Sequence, residues 1–194
     1  MLDNILKYDI VLASKSPRRK ELLGMLDVPF KIKVKEGIDE SYPADMPVVE
    51  VPEFLSRLKG NAYAEDIKGN EMVITADTVV ILDGKIYGKP HDDTDAVEML
   101  MQLQGRTHTV VSGVCIATKE KIVSFTTSTD VTFAPLTRAE VEWYVDNYRP
   151  LDKAGAYGIQ EWIGCAAVAG INGSYYNVMG LPVHQLYKVL KDEF

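Results

Sequence analysis

Residues 10–26 read IVLASKSPRRKELLGML and contain the junction that decides the fold. The apolar run Ile10–Leu12 predicts a buried strand, and the leucines that follow recur at helical spacing. Ser16 suits the N-cap of that helix, and Pro17 suits its first position. A helix N-terminus already carries a partial positive charge, so the cluster of cations placed at this one needs a separate explanation.

The four cations around the helix start are Lys15, Arg18, Arg19 and Lys20. One interpretation is a solvated basic face on an amphipathic helix. The other is an anion site, because backbone N–H groups at a strand-to-helix junction bind phosphate and the planar fork of arginine suits it. Ser14 adds a hydroxyl group at the same corner. We favour the phosphate site, since clustered like charges repel one another unless a guest anion neutralises them.

The composition is that of an ordinary globular protein. The 194 residues are 46% hydrophobic and 25% charged, with a formal net charge of −7. These values predict a single domain over residues 1–194, or two small lobes that share a core, and argue against nucleic-acid polymers or membranes as partners. The N-terminus lacks a basic region followed by an apolar one, so a cytoplasmic location is expected. Cys115 and Cys165 lie in apolar runs and are expected to be small buried hydrophobes.

Strand and helix patterns alternate along the chain, which predicts an α/β fold with a mixed sheet. Further strands are expected at 30–34, 72–82, 110–118 and 122–133, before the Asn172-Gly173 turn, and in SYYNV, 174–178. Helices are expected at 48–66, from Asp92, from a Thr137/Glu140 capping box to about Asn147, and from Pro182.

Asp77 interrupts the apolar run MVITADTVVIL. Taken alone, a turn or bulge is the favoured interpretation. Burying an unpartnered charge is costly, however, so this carboxylate should face a cation, a metal or solvent. It could serve Mg²⁺ as a ligand, a reaction as a base, or both. Glu36, Asp39 and Glu40 form either a solvated acidic loop or a source of further carboxylates.

Two more stretches remain open on their residues alone. Lys89 in YGKP follows Asp77 across an Asp-Gly hairpin, so the two could return to one end of the sheet. A lone lysine beside a proline is usually an ordinary surface residue, and spacing alone decides little between the two interpretations. In DKAGAYGIQ, Gly155 and Gly158 permit close approach of a ligand to the backbone, or simply form a structural loop.

Together these stretches resemble the Maf family (septum-formation-inhibitor-like proteins), nucleotide pyrophosphatases related in fold to the inosine-triphosphate pyrophosphatases. The motifs LASKSPRRKELL, TADTVV, GKP, DKAGAYGIQ and NVMGLP occur in the family's order and at its approximate spacing over nearly the whole chain. The resemblance implies a mixed, elongated sheet flanked by helices, with an active-site cleft between two lobes. It also suggests a homodimer.

The resemblance implies a role for each matching residue. Ser14, Arg18 and Arg19 would hold the triphosphate. Asp77 would be the general base, and Lys59 and Lys89 would be catalytic cations. Glu40 and Asp77 would lie at a divalent metal, Mg²⁺ or Mn²⁺. Lys59 is followed by Gly60, where the family normally has alanine. The implied reaction is metal-assisted attack of water on a nucleoside triphosphate, giving a monophosphate and pyrophosphate. Its purpose would be to limit incorporation of non-standard nucleotides.

Substrate choice within the family is associated with residues that match Arg18, Thr78 and Gln160. The glutamine resembles the branch that acts on dTTP and UTP, whereas a branch acting on 7-methyl-GTP carries glutamate there. Glu161 departs from the glycine common at the next position. The alternatives are a 7-methyl-GTP-preferring pyrophosphatase and a non-catalytic, nucleotide-binding regulator of septum formation. Asp77 favours catalysis, because a simple anion-binding module gains nothing from a carboxylate that faces phosphates.

Overall fold

The computed structural model describes residues 2–194, which leaves Met1 of the predicted domain outside the described part. The α-helices are α1 Pro17–Gly24, α2 Val51–Ala64, α3 Asp93–Leu103, α4 Arg138–Tyr148, α5 Trp162–Ala166, α6 Tyr175–Met179 and α7 Val183–Glu193. The strands are β1 Asp9–Leu12, β2 Phe30–Ile32, β3 Glu71–Leu82, β4 Lys85–Tyr87, β5 Thr107–Ala117, β6 Ile122–Phe133 and β7 Val168–Asn172. Short 3₁₀ turns occur at Asp3–Ile5 and Ala154–Ala156. Within residues 2–194, no helix is both long enough and apolar enough to cross a membrane.

The strands form a seven-stranded sheet in the order β2-β1-β3-β5-β6-β7, with β4 paired to β3. β1 runs parallel to β2 and β3, whereas β3 with β4 and β6 with β7 are antiparallel. This confirms the predicted mixed α/β fold. The chain divides into two compact units, and β3, β5 and β6 contribute residues to both.

The first unit comprises the chain up to Asp77 together with residues 112–127 and 180–194. The first strand and helix of this unit agree with the sequence-based prediction. Ile10–Leu12 is buried in β1, and Leu22 and Leu23 of α1 are buried as well. Ser16 is the N-cap of α1, as predicted. α2 spans a shorter range than the expected 48–66.

The second unit comprises residues 78–111 and 128–179. Its hairpin turns at Asp83 and Gly84, whose φ angles of 51° and 72° are those that a tight two-residue hairpin requires. Asp92 caps α3, and the Thr137/Glu140 capping box opens α4. Each of these signals acts within a few residues, and each prediction is confirmed.

The strand predicted over residues 174–178 is wrong, because α6 occupies Tyr175–Met179. Ser174 starts the helical turn by accepting hydrogen bonds from the amides of Asn177 and Val178. The buried Asn177 side chain then donates to the Val110 carbonyl at 3.1 Å and to Thr129 Oγ1 at 3.0 Å. These tertiary hydrogen bonds outweigh the strand preference of the tyrosines and valine.

The expectation for the cysteines holds for one of them. Cys115 is fully buried in β5, and burial raises the pKa of its thiol to about 11. Cys165 is exposed, which contradicts the expectation of a buried hydrophobe. The apolar run around Cys165 forms the helix α5, and Ile163 rather than Cys165 lies on its buried side. Both cysteines are free thiols.

Candidate active site

The start of α1 is built by the two serines of the SKS sequence. The buried Ser14 accepts a hydrogen bond from the backbone amide of Ser16 at 3.2 Å through its Oγ. Ser16 Oγ in turn accepts from the amide of Arg19 at 3.4 Å, which is the N-cap bond. The two hydroxyl oxygens therefore fix the strand-to-helix junction, and Arg18 and Arg19 follow in the first helical turn.

Arg19 links three parts of the first unit. Its Nε donates to the Gly180 carbonyl at 2.9 Å, and its Nη1 donates to the Ala76 carbonyl at 2.7 Å. Desolvation lowers the pKa of Arg19, and the charge of Asp77 opposes that shift. A guanidinium group remains protonated in proteins despite such a shift. Arg19 thus carries positive charge to the backbone that immediately precedes Asp77.

Asp77 is paired with Lys59. Asp77 Oδ1 lies 2.8 Å from Lys59 Nζ, and the two side chains are 16% and 15% exposed. Lys59 Nζ also lies 2.7 Å from Glu40 Oε2, whose side chain is half exposed. The structure therefore brings together three residues that the sequence places far apart, and Asp77, which interrupts the apolar run of β3, faces a cation, as expected for a largely buried carboxylate.

Two contacts hold the acidic loop that carries Glu40. Ile38 packs against a buried cluster that includes Tyr63 of α2. The Tyr63 hydroxyl donates to the Lys33 carbonyl at 3.1 Å and accepts from the amide of Lys35 at 2.5 Å. The chain on either side of Gly37 is therefore fixed to α2, the helix that also presents Lys59. Glu36, by contrast, forms an exposed pair with Lys15.

Gly60 has a packing role that explains its departure from the alanine of the resemblance. A Cβ atom at this position would lie 2.6 Å from Cys115 Sγ. That distance is well inside van der Waals contact, so the buried thiol occupies the space that an alanine methyl group would need. The close approach of α2 to β5 sets the position of Lys59, which directly precedes Gly60.

The carboxylates of Asp77 and Glu40 are the candidate ligands for a divalent cation. Among residues 2–194, no cluster of three or more His, Cys, Asp or Glu side chains is suited to hold a metal. Asp77 and Glu40 nevertheless direct carboxylate oxygens at one point, the Lys59 ammonium. Mg²⁺ is commonly held by one or two carboxylates with substrate phosphates and water completing the shell. The pair therefore fits a metal that arrives together with a polyphosphate.

The second unit contains the remaining candidates, Thr78, Lys89 and Gln160. The β3–β4 register ends at Val80 opposite Tyr87, so the chain beyond Tyr87 returns towards Thr78. Thr78 is half-buried, whereas Lys89 and Gln160 are exposed. These placements agree with a hairpin that carries Lys89 back along β3.

The GKP and DKAGAYGIQ stretches are in direct contact. The amide of Gly155 donates to the Gly88 carbonyl at 3.0 Å, next to Lys89. Gly155 has a φ of 67°, and a Cβ atom there would lie 2.8 Å from a Val80 methyl carbon. Gly155 is therefore required both by its backbone conformation and by its close approach to β3.

A buried polar cluster in this unit was missed by sequence reasoning. Tyr144 of α4 donates to Glu161 Oε2, and Lys153 Nζ lies 3.1 Å from Glu161 Oε1. Lys153 also lies 2.7 Å from Asp152 Oδ1. Burial and the neighbouring carboxylate raise the pKa of Tyr144, so its hydroxyl stays protonated. The sequence signal for this cluster was Lys153, which lies inside an apolar, glycine-rich stretch. A lysine buried there requires a carboxylate partner.

The comparisons with known proteins agree with this arrangement of motifs. The profile of the family described as "Maf-like protein" matches residues 9–193. The chain belongs to the Maf family. A "dTTP/UTP pyrophosphatase" of Porphyromonas gingivalis strain W83 is 54% identical over 194 residues, covering 99% of this chain and 98% of the relative. The "dTTP/UTP pyrophosphatase" of Bacteroides thetaiotaomicron is 52% identical, covering 98% and 99% of the respective chains.

A solved structure, that of the Staphylococcus aureus Ham1 protein, is similar with a TM-score of 0.49 and 16% identity. The similarity covers 65% of this chain and 72% of that one. Family membership rests on the profile and on the relatives, which extend over both units of the chain.

Proposed function

We propose that this protein is a nucleoside triphosphate pyrophosphatase that hydrolyses dTTP and UTP to the monophosphate and pyrophosphate. The observation that carries the proposal is the pairing of Asp77 with Lys59 at 2.8 Å, beside backbone that Arg19 holds. A carboxylate held in place by a lysine beside phosphate-binding cations is positioned to accept a proton from water near the phosphates. The two Maf relatives described above, both dTTP/UTP pyrophosphatases, support the choice of dTTP and UTP.

In the proposed reaction, Asp77 accepts a proton from water as the water oxygen attacks the α-phosphorus. The bond from that phosphorus to the bridging oxygen breaks, and pyrophosphate leaves. Such reactions depend on positioning and charge stabilisation rather than on a protein nucleophile. Ser14, Arg18 and Arg19 would bind the triphosphate, and Lys89 would add a further phosphate-side cation.

Lys59 has two tasks in this proposal. It keeps Asp77 and Glu40 oriented before substrate binds, because its ammonium contacts both carboxylates. It also adds positive charge for the polyphosphate. A divalent cation, Mg²⁺ or Mn²⁺, held by Asp77 and Glu40 would neutralise phosphate charge and lower the pKa of bound water.

The specificity assignments also remain our proposals. Arg18, Thr78 and Gln160 would determine the choice of nucleotide, with the side-chain amide of Gln160 recognising the pyrimidine base. Consumption of unwanted triphosphates would limit non-standard nucleotide incorporation. We further propose that the two units act as one Maf-like domain, that the protein forms a homodimer, and that it works in the cytoplasm, where nucleotide precursors occur.

The test is a product assay. Purified protein with Mg²⁺ is incubated with dTTP, UTP, 7-methyl-GTP and the standard purine triphosphates, and products are separated by ion-exchange chromatography. We expect dTMP or UMP together with pyrophosphate. Diphosphate and phosphate would refute the bond assignment, a preference for 7-methyl-GTP would refute the substrate, and binding without turnover would favour a regulator.

A further inference from the structure

Gln160 lies in a tight turn whose two ends meet at one hydroxyl group. The turn runs from Gly158 to Glu161 and is closed by a hydrogen bond from the Glu161 amide to the Gly158 carbonyl at 3.0 Å. The amide of Gly158 donates to the Tyr144 hydroxyl at 3.1 Å. The same hydroxyl donates to Glu161 Oε2. Tyr144 therefore bridges the residues that begin and end the turn.

The cluster around this turn is almost fully enclosed. Tyr144 is fully buried, and Lys153 is 8% exposed. The Lys153 ammonium contacts Glu161 Oε1, so both oxygens of that carboxylate have partners. A Cβ atom on Gly158 would lie 2.8 Å from the Glu161 carboxyl carbon, which shows how closely the side chain folds back over the turn.

The other side of the turn is closed by the start of α5. The amide of Gly164 donates to the Glu161 carbonyl at 3.0 Å. A Cβ atom on Gly164 would lie 1.7 Å from the Ile159 carbonyl oxygen, so the helix backbone touches the turn directly. Gln160 is exposed between these two fixed neighbours. The backbone that carries it is held from both sides, while its side chain faces outward.

We propose that Tyr144, Glu161 and Lys153 form a positioning clamp that sets the orientation of Gln160 and thereby the nucleotide selectivity. The clamp acts through the turn and does not touch the nucleotide. This inference rests on the proposed function, because it assigns a cause to the selectivity proposed for Gln160. A small misorientation of a recognition group lowers selectivity, because the reaction rate depends strongly on how accurately the substrate is positioned.

The primary variants are Tyr144→Phe and Glu161→Gln. The first removes the hydroxyl that joins both ends of the turn. The second keeps an acceptor for Tyr144 and loses the charge that faces Lys153. We expect Tyr144→Phe to lower the ratio of kcat/KM for dTTP to that for 7-methyl-GTP by about tenfold, mostly through KM. Glu161→Gln should lower it less than Glu161→Ala does, so that the conservative change partly rescues selectivity.

The decisive readout is a double-mutant cycle with Gln160→Ala. In that background Tyr144→Phe should change the selectivity ratio by less than about twofold, because the group it positions is absent. A merely structural tyrosine would have the same effect in both backgrounds, and that result would overturn the inference. Tyr148→Phe, four residues later on α4, is the matched control and should leave the ratio unchanged.

Different results would refute the proposed function and the clamp. Wild-type protein that hydrolyses neither dTTP nor UTP would refute the proposed function. Wild-type protein that hydrolyses both, together with Tyr144→Phe and Glu161→Gln variants that keep the wild-type ratio, would refute the clamp alone. Thermal unfolding of each variant shows whether it is folded at the assay temperature, and Glu161→Gln supplies the test if Tyr144→Phe is not.

Discussion

Replacing Gly60 by alanine should destabilise the protein, although alanine is the better helix former. An alanine in a helix interior is intrinsically more favourable than glycine by about 1 kcal/mol. Here the new Cβ atom would lie 2.6 Å from Cys115 Sγ, and overpacking of this kind costs about 1–3 kcal/mol. The net result is a loss of about 1 kcal/mol in the free energy of unfolding.

The sign of the effect should reverse when the thiol is removed. In a Cys115→Ala background, the nearest remaining atoms to the new methyl group are the Cβ of residue 115 at 3.5 Å and Thr75 Oγ1 at 3.6 Å. Both are ordinary contacts, so the helix preference of alanine remains and Gly60→Ala should stabilise by about 1 kcal/mol. The coupling between the two sites is therefore about 2 kcal/mol.

Urea denaturation followed by circular dichroism measures all four corners of this cycle. Gly24→Ala is the control, because a Cβ atom there meets nothing within 4 Å. That variant should not be destabilised. Stabilisation by Gly60→Ala in both backgrounds would show that the Cys115 thiol rotates away without cost, and would refute the explanation given for Gly60. Equal destabilisation in both backgrounds would place the clash elsewhere.

Two further predictions concern single side chains. Burial lowers the pKa of His108 from 6.5 to about 4. Between these two pH values the unfolded chain therefore binds one more proton than the folded protein does. About 3 kcal/mol of the free energy of unfolding is lost as the pH falls through that window. His108→Gln should reduce the change in the free energy of unfolding between pH 6.5 and pH 4, measured by urea denaturation, and the exposed control His91→Gln should not. Equal pH dependence of the two variants would contradict the role given to His108. Gln160→Glu should depress turnover of dTTP relative to 7-methyl-GTP in competition assays, and an unaltered ranking would remove Gln160 from the specificity argument.

The parts of the fold that were predictable rest on signals within a few residues of one another. Ser16 caps the helix it precedes, and the Thr137/Glu140 box spans a single turn. Helix α6 was not predictable in this way. Asn177 makes hydrogen bonds to Val110 and Thr129, which lie 67 and 48 residues away in the sequence. No local pattern around SYYNV therefore predicts these contacts.

The candidate site shows the same division. The residue types at the start of α1 indicate an anion site, because the chemistry and the junction are both local. The contact between Lys59 and Asp77 depends on packing of α2 against the sheet, which Gly60 and Cys115 permit together. The resemblance supplied those residues, but the geometry required the structure. Tyr144 itself carried no sequence signal for its bridge to the Gln160 turn, because a buried helical tyrosine is usually only part of a core. Lys153 indicated only that a carboxylate partner lies near it.

The central claim is that Asp77 accepts a proton from the attacking water. The most direct measurement compares Asp77→Asn with wild type for single-turnover hydrolysis of dTTP and for binding of a non-hydrolysable dTTP analogue by calorimetry. Glu36→Gln, which alters the exposed pair with Lys15, is the matched control. We predict that Asp77→Asn lowers the rate by about 100- to 10,000-fold while the dissociation constant changes by only a few fold. Wild-type turnover by Asp77→Asn would contradict the account.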